Sequence, residues 1–322
     1  MALPQVAIIG TGVIGAGWAA RYLANGYHVK AWDPGANAAE KLENSIRNAW
    51  PSLEKVGLRE GASLDNLTFC ETLDDACKNA IIVQESAPEI VELKAQLLSQ
   101  IGEAAPIDAI IGSSTSGFKP SVLQHEVVHP ERVIVSHPFN PVYLLPLVEV
   151  VGGEKTSADA IEKAQAIYRK LGMHPLHVRK EIDGHLSDRL LEALWRENLH
   201  LVNDGIATTG ELDDAITYGP GLRWALMGTN LTYHLAGGNA GMKHMLAQFG
   251  PALKLPWTKL EAPELNETLI ERMVLGTQEQ AANRSVKELE NLRDNCLVSI
   301  MEALADYEMG AGKVLNNHRK SL

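Results

Sequence analysis

The chain has 322 residues, long for one ordinary core, so two domains are expected. Hydrophobic residues make up 45% and charged residues 21%, the composition of a soluble globular protein. With 29 basic against 40 acidic side chains the formal charge is −11, which argues against a nucleic-acid or anionic-membrane surface, because both need a basic face.

Val6-Ala-Ile-Ile reads as a buried strand, followed by a helix from Val13 to Asn25 that Gly26 ends. His28 to Trp32 is a second strand, and a long helical pattern runs from about Asn37 to Val56. Ala80-Ile-Ile-Val-Gln, Ala109-Ile-Ile-Gly-Ser and Arg132-Val-Ile-Val-Ser are further strands, with a helix from about Glu89 to Glu103 among them. Leu147–Val151 and Leu176–Arg179 extend the sheet at its far side. Alternating strands and helices, with the strands apolar on both faces, predict an α/β fold: a Rossmann-type doubly wound, mostly parallel sheet. The pattern turns helical near Asp183-Gly184. Leu190, Leu191, Leu194, Trp195, Leu201 and Val202 form one stripe, and Thr208-Thr-Gly-Glu211 has capping-box spacing for the next helix, which ends at Gly219-Pro220. The expected domains are 1–182, binding a dinucleotide, and an all-helical 183–322, whose basic end His318-Arg-Lys320 reads as frayed.

Gly10-Thr11-Gly12-Val13-Ile14-Gly15 follows a strand and opens a helix. Its glycines allow a tight turn, a close backbone approach to a pyrophosphate and tight helix–strand packing, while the helix start supplies amide donors. Asp33 closes the second strand eighteen residues after Gly15, placed to accept from a ribose 2′-hydroxyl and to repel a 2′-phosphate. The expected cofactor is therefore NAD. His125-Glu-Val-Val-His129 has metalloprotease spacing, but Pro130 follows at once and disfavours helical geometry at His129. His174 and His177 read as strand-edge residues, and no metal is expected. Cys70, Cys77 and Cys296 contain no C-x-x-C pair and fit a reducing compartment. A strand starting at Gln5 leaves no room for a leader, and no apolar run approaches the ~18 residues of a membrane span. The expected location is cytoplasmic.

His137 lies just past the carboxyl end of a strand, where open parallel sheets place ligands, and Glu149 follows twelve residues later on the next apolar run. Such a pair moves a proton: the carboxylate holds one ring nitrogen and the other accepts. Ser116, in a serine-rich turn beyond a strand, offers a hydroxyl or is simply a polar turn. Asn140, in Pro-Phe-Asn-Pro, offers a carboxamide or braces its own turn.

Gly-Thr-Gly-Val-Ile-Gly, Ser-Ser-Thr-Ser-Gly and His-Pro-Phe-Asn-Pro followed by Leu-Val-Glu-Val resemble the 3-hydroxyacyl-CoA dehydrogenase family, over nearly the whole chain from Val6 to about Leu304. Within it, residues 136–153, 189–197 and 219–238 are most similar to the carnitine-oxidising branch. The resemblance implies that His137 is the catalytic base, Glu149 its orienting partner, and Ser116 and Asn140 contacts to the reacting hydroxyl or the nicotinamide. It also places Glu89 and Lys94 among the cofactor contacts; by themselves these two read as a solvated helix face. Two departures count against an acyl-CoA substrate. The segment before Ala80 is short and lacks a basic cluster for a CoA phosphate, and Asp188 stands where acyl-CoA enzymes carry asparagine.

The implied reaction is NAD-dependent oxidation of the 3-hydroxyl of L-carnitine. Another short 3-hydroxy acid such as gulonate, a 3-hydroxyacyl-CoA, and a non-catalytic crystallin-like relative are the alternatives. A quaternary ammonium has no N–H to donate, so only an aromatic face or an anion can select it. Arg223, for the carboxylate, and Trp224, Tyr143, Tyr233 and Asp188, for the ammonium, are the candidate substrate contacts; each is equally an ordinary packing or ion-pair residue. The resemblance further implies a homodimer formed through the helical domain.

Overall fold

In the computed structural model, which describes residues 3–225, 228–259, 266–272 and 282–322, the apolar runs of the first half assemble into one eight-stranded sheet ordered β3-β2-β1-β4-β5-β6-β7-β8. The strands are β1 (Gln5–Ile9), β2 (His28–Trp32), β3 (Leu67–Phe69), β4 (Ile82–Glu85), β5 (Ile110–Ser113), β6 (Val133–Pro138), β7 (Leu147–Gly152) and β8 (His174–Val178). The six from β3 to β6 are parallel, β7 runs antiparallel to β6, and β8 is parallel to β7.

The period of two in β1 divides its side chains between two cores. Val6 and Ile8 pack with Trp18, Tyr22, Leu42 and Tyr168 from α1 (Val13–Ala24), α2 (Ala38–Val56) and α6 (Ala158–Lys170). Ala7 and Ile9 pack on the other face with Leu98 and Ile101 of α4 (Val91–Ala104) and with the short α3 (Leu73–Cys77). Helices on both faces of a mostly parallel sheet are the doubly wound arrangement expected from the apolar pattern. Gln84 and Trp18, buried between the layers, find partners: Gln84 donates to Ser114 and Ser136, and Trp18 Nε1 donates to Ser114.

Three elements depart from expectation. The three-residue, half-exposed β3 and the one-turn α3, which Thr72 caps through the Asp75 amide, are too short to give a period. The basic end of the chain is not frayed: it forms α13 (Gly310–Lys320), with Leu315 and His318 buried. There Arg319 donates to the carbonyls of Val56 and Lys55 at 3.1 and 2.8 Å. Charge alone suggested a loose tail, whereas tertiary partners for the backbone and guanidinium decide otherwise.

By contacts the chain forms two units: residues 1–188 with 294–305 and 312–322, and residues 189–293 with 306–311. The second is built from most of α7 (Ser187–Asn203), then α8 (Thr209–Thr217), α9 (Pro220–Trp224), α10 (Thr229–Ala236), α11 (Gly241–Phe249) and the first half of α12 (Val286–Ala305). Thr208 and Glu211 form the capping box predicted for α8. Residues 226–227, 260–265 and 273–281 of the stretch expected to be helical lie outside the described residues. The apolar stripe of α7 divides. Val202 packs with Leu199 and Leu269, while Leu190, Leu191 and Trp195 are exposed on the single chain. Among the described residues, no helix is long and apolar enough to cross a membrane.

Candidate active site

The turn from β1 into α1 has φ +88° at Gly10, where a Cβ would lie 2.8 Å from the Ser86 carbonyl carbon in the loop after β4. A Cβ at Gly15 would stand 1.9 Å from the Gly10 oxygen, so the helix start can approach the strand only without a side chain. A Cβ at Gly12 would meet nothing within 4 Å, and no side chain caps α1. Open space over uncapped amides at a helix N-terminus fits a pyrophosphate. Val13 is exposed at this mouth, and Ile14 packs on the core behind it.

Asp33, one residue past β2, is fixed by the same loop. Its carboxylate accepts from the Thr11 amide (2.7 Å), the Thr11 hydroxyl (3.1 Å) and the Gly35 amide (2.7 Å). A carboxylate has roughly four acceptor positions, so about one remains for a ribose hydroxyl. The residues fit a dinucleotide with a free 2′-hydroxyl.

Beyond β4 and β5 lies a buried charge network. Glu85 accepts from Lys94 Nζ (2.9 Å), the Ala87 amide (2.6 Å) and the Ser113 hydroxyl. Glu89 accepts from the Thr115 hydroxyl and the Ser116 amide and lies 3.4 Å from Lys94. Lys94 is only 1% exposed, so the solvated helix face read from the sequence is corrected for this residue. Together Glu85, Glu89 and Lys94 tie the loop after β4 to the turn that carries the exposed Ser116.

His137 and Glu149 are direct partners across the antiparallel β6–β7 ladder, which is the reason for their twelve-residue spacing. His137 Nδ1 lies 2.9 Å from Glu149 Oε2. Glu149 Oε1 accepts from the amides of Leu186 and Ser187, at 3.0 and 3.1 Å, where α7 begins. Burial pushes the Glu149 pKa up, but the His137 hydrogen bond and the two amides outweigh it and hold the carboxyl below its ordinary value. The carboxylate therefore takes Nδ1–H, leaving a lone pair on Nε2. That nitrogen is 3.7 Å from Asp188 Oδ2. Phe139 meets the ring edge-on, and the His185 ring lies 5.5 Å away. His185 is fully buried, its Nε2 is 3.4 Å from the Thr115 oxygen, and burial, with His137 beside it, pulls its pKa down.

Asn140 is exposed in the turn after β6, ahead of a cis peptide to Pro141. The Tyr143 hydroxyl donates to Asp294. Arg223 and Trp224 lie exposed on α9 and Tyr233 on α10, all in the second unit. His129 has φ +59°, so His125 and His129 do not share a helix.

The sequence signature described as "3-hydroxyacyl-CoA dehydrogenase, NAD binding domain" matches residues 5–182, and the one described as "3-hydroxyacyl-CoA dehydrogenase, C-terminal domain" matches 184–282. The chain belongs to the 3-hydroxyacyl-CoA dehydrogenase family. It is an NAD-dependent dehydrogenase. Among relatives of this family member, the L-carnitine dehydrogenase of Pseudomonas putida is 59% identical over 306 residues, 95% of each chain. That of Oceanobacillus iheyensis is 58% identical over 305 residues, 95% of this chain and 99% of the other. Among solved structures, the NAD+-dependent dismutase 5-formyl-3-hydroxy-2-methylpyridine 4-carboxylic acid 5-dehydrogenase superposes with a TM-score of 0.78 at 26% identity, covering 94% of this chain and 99% of that one.

In this 3-hydroxyacyl-CoA dehydrogenase family member, sequence reasoning passed over Glu85, Ser113 and His185. Glu85 and Ser113 sit at the ends of strands read from their apolar runs, and neither was given a role. His185 lies in the turn just before α7, three residues before Asp188, and a histidine so close to Asp183 and Asp188 was the available signal.

Proposed function

We propose that the chain oxidises the 3-hydroxyl of L-carnitine to 3-dehydrocarnitine, with the proton taken by His137. The name of its relatives motivates the substrate. The observation that carries the reading is the placement of His137 between two carboxylates, Glu149 at Nδ1 and Asp188 at Nε2. NAD, when bound at Gly10–Gly15 and Asp33, supplies the hydride acceptor. His137 Nε2 accepts the hydroxyl proton as the C3–H bond gives up its hydride, and the C3–O bond becomes a carbonyl. Glu149 steadies the imidazolium and keeps Nδ1 protonated throughout. Ser116 and Asn140 orient the hydroxyl or the nicotinamide end, and Glu89 and Lys94 support the cofactor side through the loop they hold.

Asp188 supplies an anion beside the reacting nitrogen, which suits a substrate with a cationic end and offers nothing to a neutral acyl chain. Arg223 is the candidate fork for a carboxylate, and Trp224, Tyr233 and Tyr143 are candidate aromatic contacts for the ammonium. The molecule works as a homodimer, a reading supported by exposed Leu190, Leu191, Trp195, Leu222 and Leu235 on the second unit. It resides in the cytoplasm, in keeping with free Cys70, Cys77 and Cys296. The test is NADH formation with L-carnitine, gulonate and 3-hydroxybutyryl-CoA. Carnitine should give the highest kcat/KM, and a higher value for either competitor would overturn the substrate.

A further inference from the structure

The first unit contains a cavity of about 560 Å³, between the turn that ends α6 and the helix α13, that shares no residue with the candidate active site. Arg59, Arg169, Lys170 and His318 line it, Met173 and Val314 give it an apolar side, and no acidic residue belongs to its wall. In a chain of net charge −11 this is a local reversal of sign. None of Arg59, Arg169 and Lys170 has a carboxylate partner among the described residues. Arg59 spends one guanidinium nitrogen on the Lys170 oxygen (3.3 Å) and the Ser321 hydroxyl (2.8 Å), while its Nε is buried with no partner. His318 is 6% exposed; its Nε2 lies 3.3 Å from the Gly57 oxygen, and its Nδ1 has no partner.

Behind this wall is a further unneutralised cation. The Arg21 guanidinium is buried in α1 and donates only to carbonyls, those of Leu171, Gly172, Val142 and Leu145. Burial pulls its pKa down from the usual arginine range, and Arg21 and Arg59 both help, after burial itself, to hold His318 below the ordinary histidine value. Concentrated positive charge, the buried Arg59 Nε–H without a partner and an apolar side wall describe a site short of an anion.

We propose that this cavity binds a small multivalent oxyanion, gripped by Arg59, Arg169 and Lys170 with its body against Met173 and Val314. Two arginine forks suit phosphate and carboxylate oxygens alike, so the ligand is a phosphate ester or a di- or tricarboxylate. The carbonyls that Arg21 holds include the Gly172 wall and, at Val142 and Leu145, the connection from β6 to β7, which joins the cavity through one side chain to the hairpin that carries His137 and Glu149.

Calorimetric titration of the NAD-saturated protein at low ionic strength tests this, using inorganic pyrophosphate in one arm and citrate in the other. Saturation with NAD closes the glycine loop to either probe. One-to-one binding of at least one probe is expected, and its weakening by about tenfold or more in Arg169→Ala/Lys170→Ala, two exposed positions whose loss leaves the core intact. Pyrophosphate binding alone assigns the site to phosphate esters, and citrate binding alone to polycarboxylates. Absence of saturable binding in both arms overturns the proposal, as does an unchanged affinity in a double variant that keeps the wild-type thermal transition.

Discussion

Asp188 stands 3.7 Å from Nε2 of His137, so the imidazole that Glu149 holds at Nδ1 has a carboxylate beside each nitrogen. The two acids have different settings. Glu149 is sealed and bonded to backbone amides, while the Asp188 side chain keeps a quarter of its surface in solvent. Only Asp188 is placed to meet a ligand.

Replacing His137 separates chemistry from binding. His137→Gln should lower kcat with carnitine by at least ~10²-fold, the scale of a lost general base. NAD affinity should stay within about twofold, because the proposed cofactor cradle lies at Gly10–Gly15 and Asp33. Steady-state kinetics and NAD titration check both halves, and a near-normal kcat in the variant would sink the assignment.

Asp188→Asn should raise KM for carnitine about tenfold while KM for NAD holds, and should shrink the preference over uncharged 3-hydroxybutyrate, since an anion facing the ammonium is lost. Arg223→Lys should raise the same KM through loss of the fork. If both variants keep wild-type KM and selectivity, charge recognition lies with other residues.

Asp33→Ala removes acceptors for the Thr11 and Gly35 amides as well as for the ribose. NAD binding should weaken by roughly 1.5–3 kcal/mol, and the preference over NADP should narrow with the repulsion gone. Fluorescence titration with both dinucleotides measures this. Equal use of NADP by the unaltered protein would contradict the reading of β2.

Buried His185 makes stability depend on pH. Its pKa lies below the ordinary 6.5, so the unfolded chain takes up a proton that the native state refuses. Its contribution is therefore fully present above about pH 6.5 and is lost as pH falls toward the depressed native value, at up to about 1.4 kcal/mol per pH unit. Glu149, also depressed, adds a loss in the acid range below that. Denaturant unfolding at pH 7.5, 6.5 and 5.5 should give a smaller slope for His185→Phe than for the unaltered chain; equal slopes would show that His185 does not titrate in this way.

What was legible depended on how local the signal is. The glycine loop, Asp33 and the doubly wound order could be read because each is carried by a short motif or a strand apolar on both faces. His137 and Glu149 could be paired because one tight connection joins adjacent strands. Glu85, Ser113 and Lys94 meet across β4, β5 and α4, so nothing in any single segment announces them. The ordered end of α13 was equally hidden, since its partners Lys55 and Val56 lie more than 260 residues earlier.

The backbone amides of Leu186 and Ser187 rest on the same carboxylate that orients His137. If His137 takes up the substrate's proton as proposed, Glu149 becomes one half of an ion pair, and its charge is shared differently between ring and amides. The first turn of α7 is thus an electrostatic witness to each turnover. By reciprocity, loosening that turn changes how firmly Glu149 holds the His137 ring. One side chain makes the start of a helix and the orientation of a ring a single equilibrium.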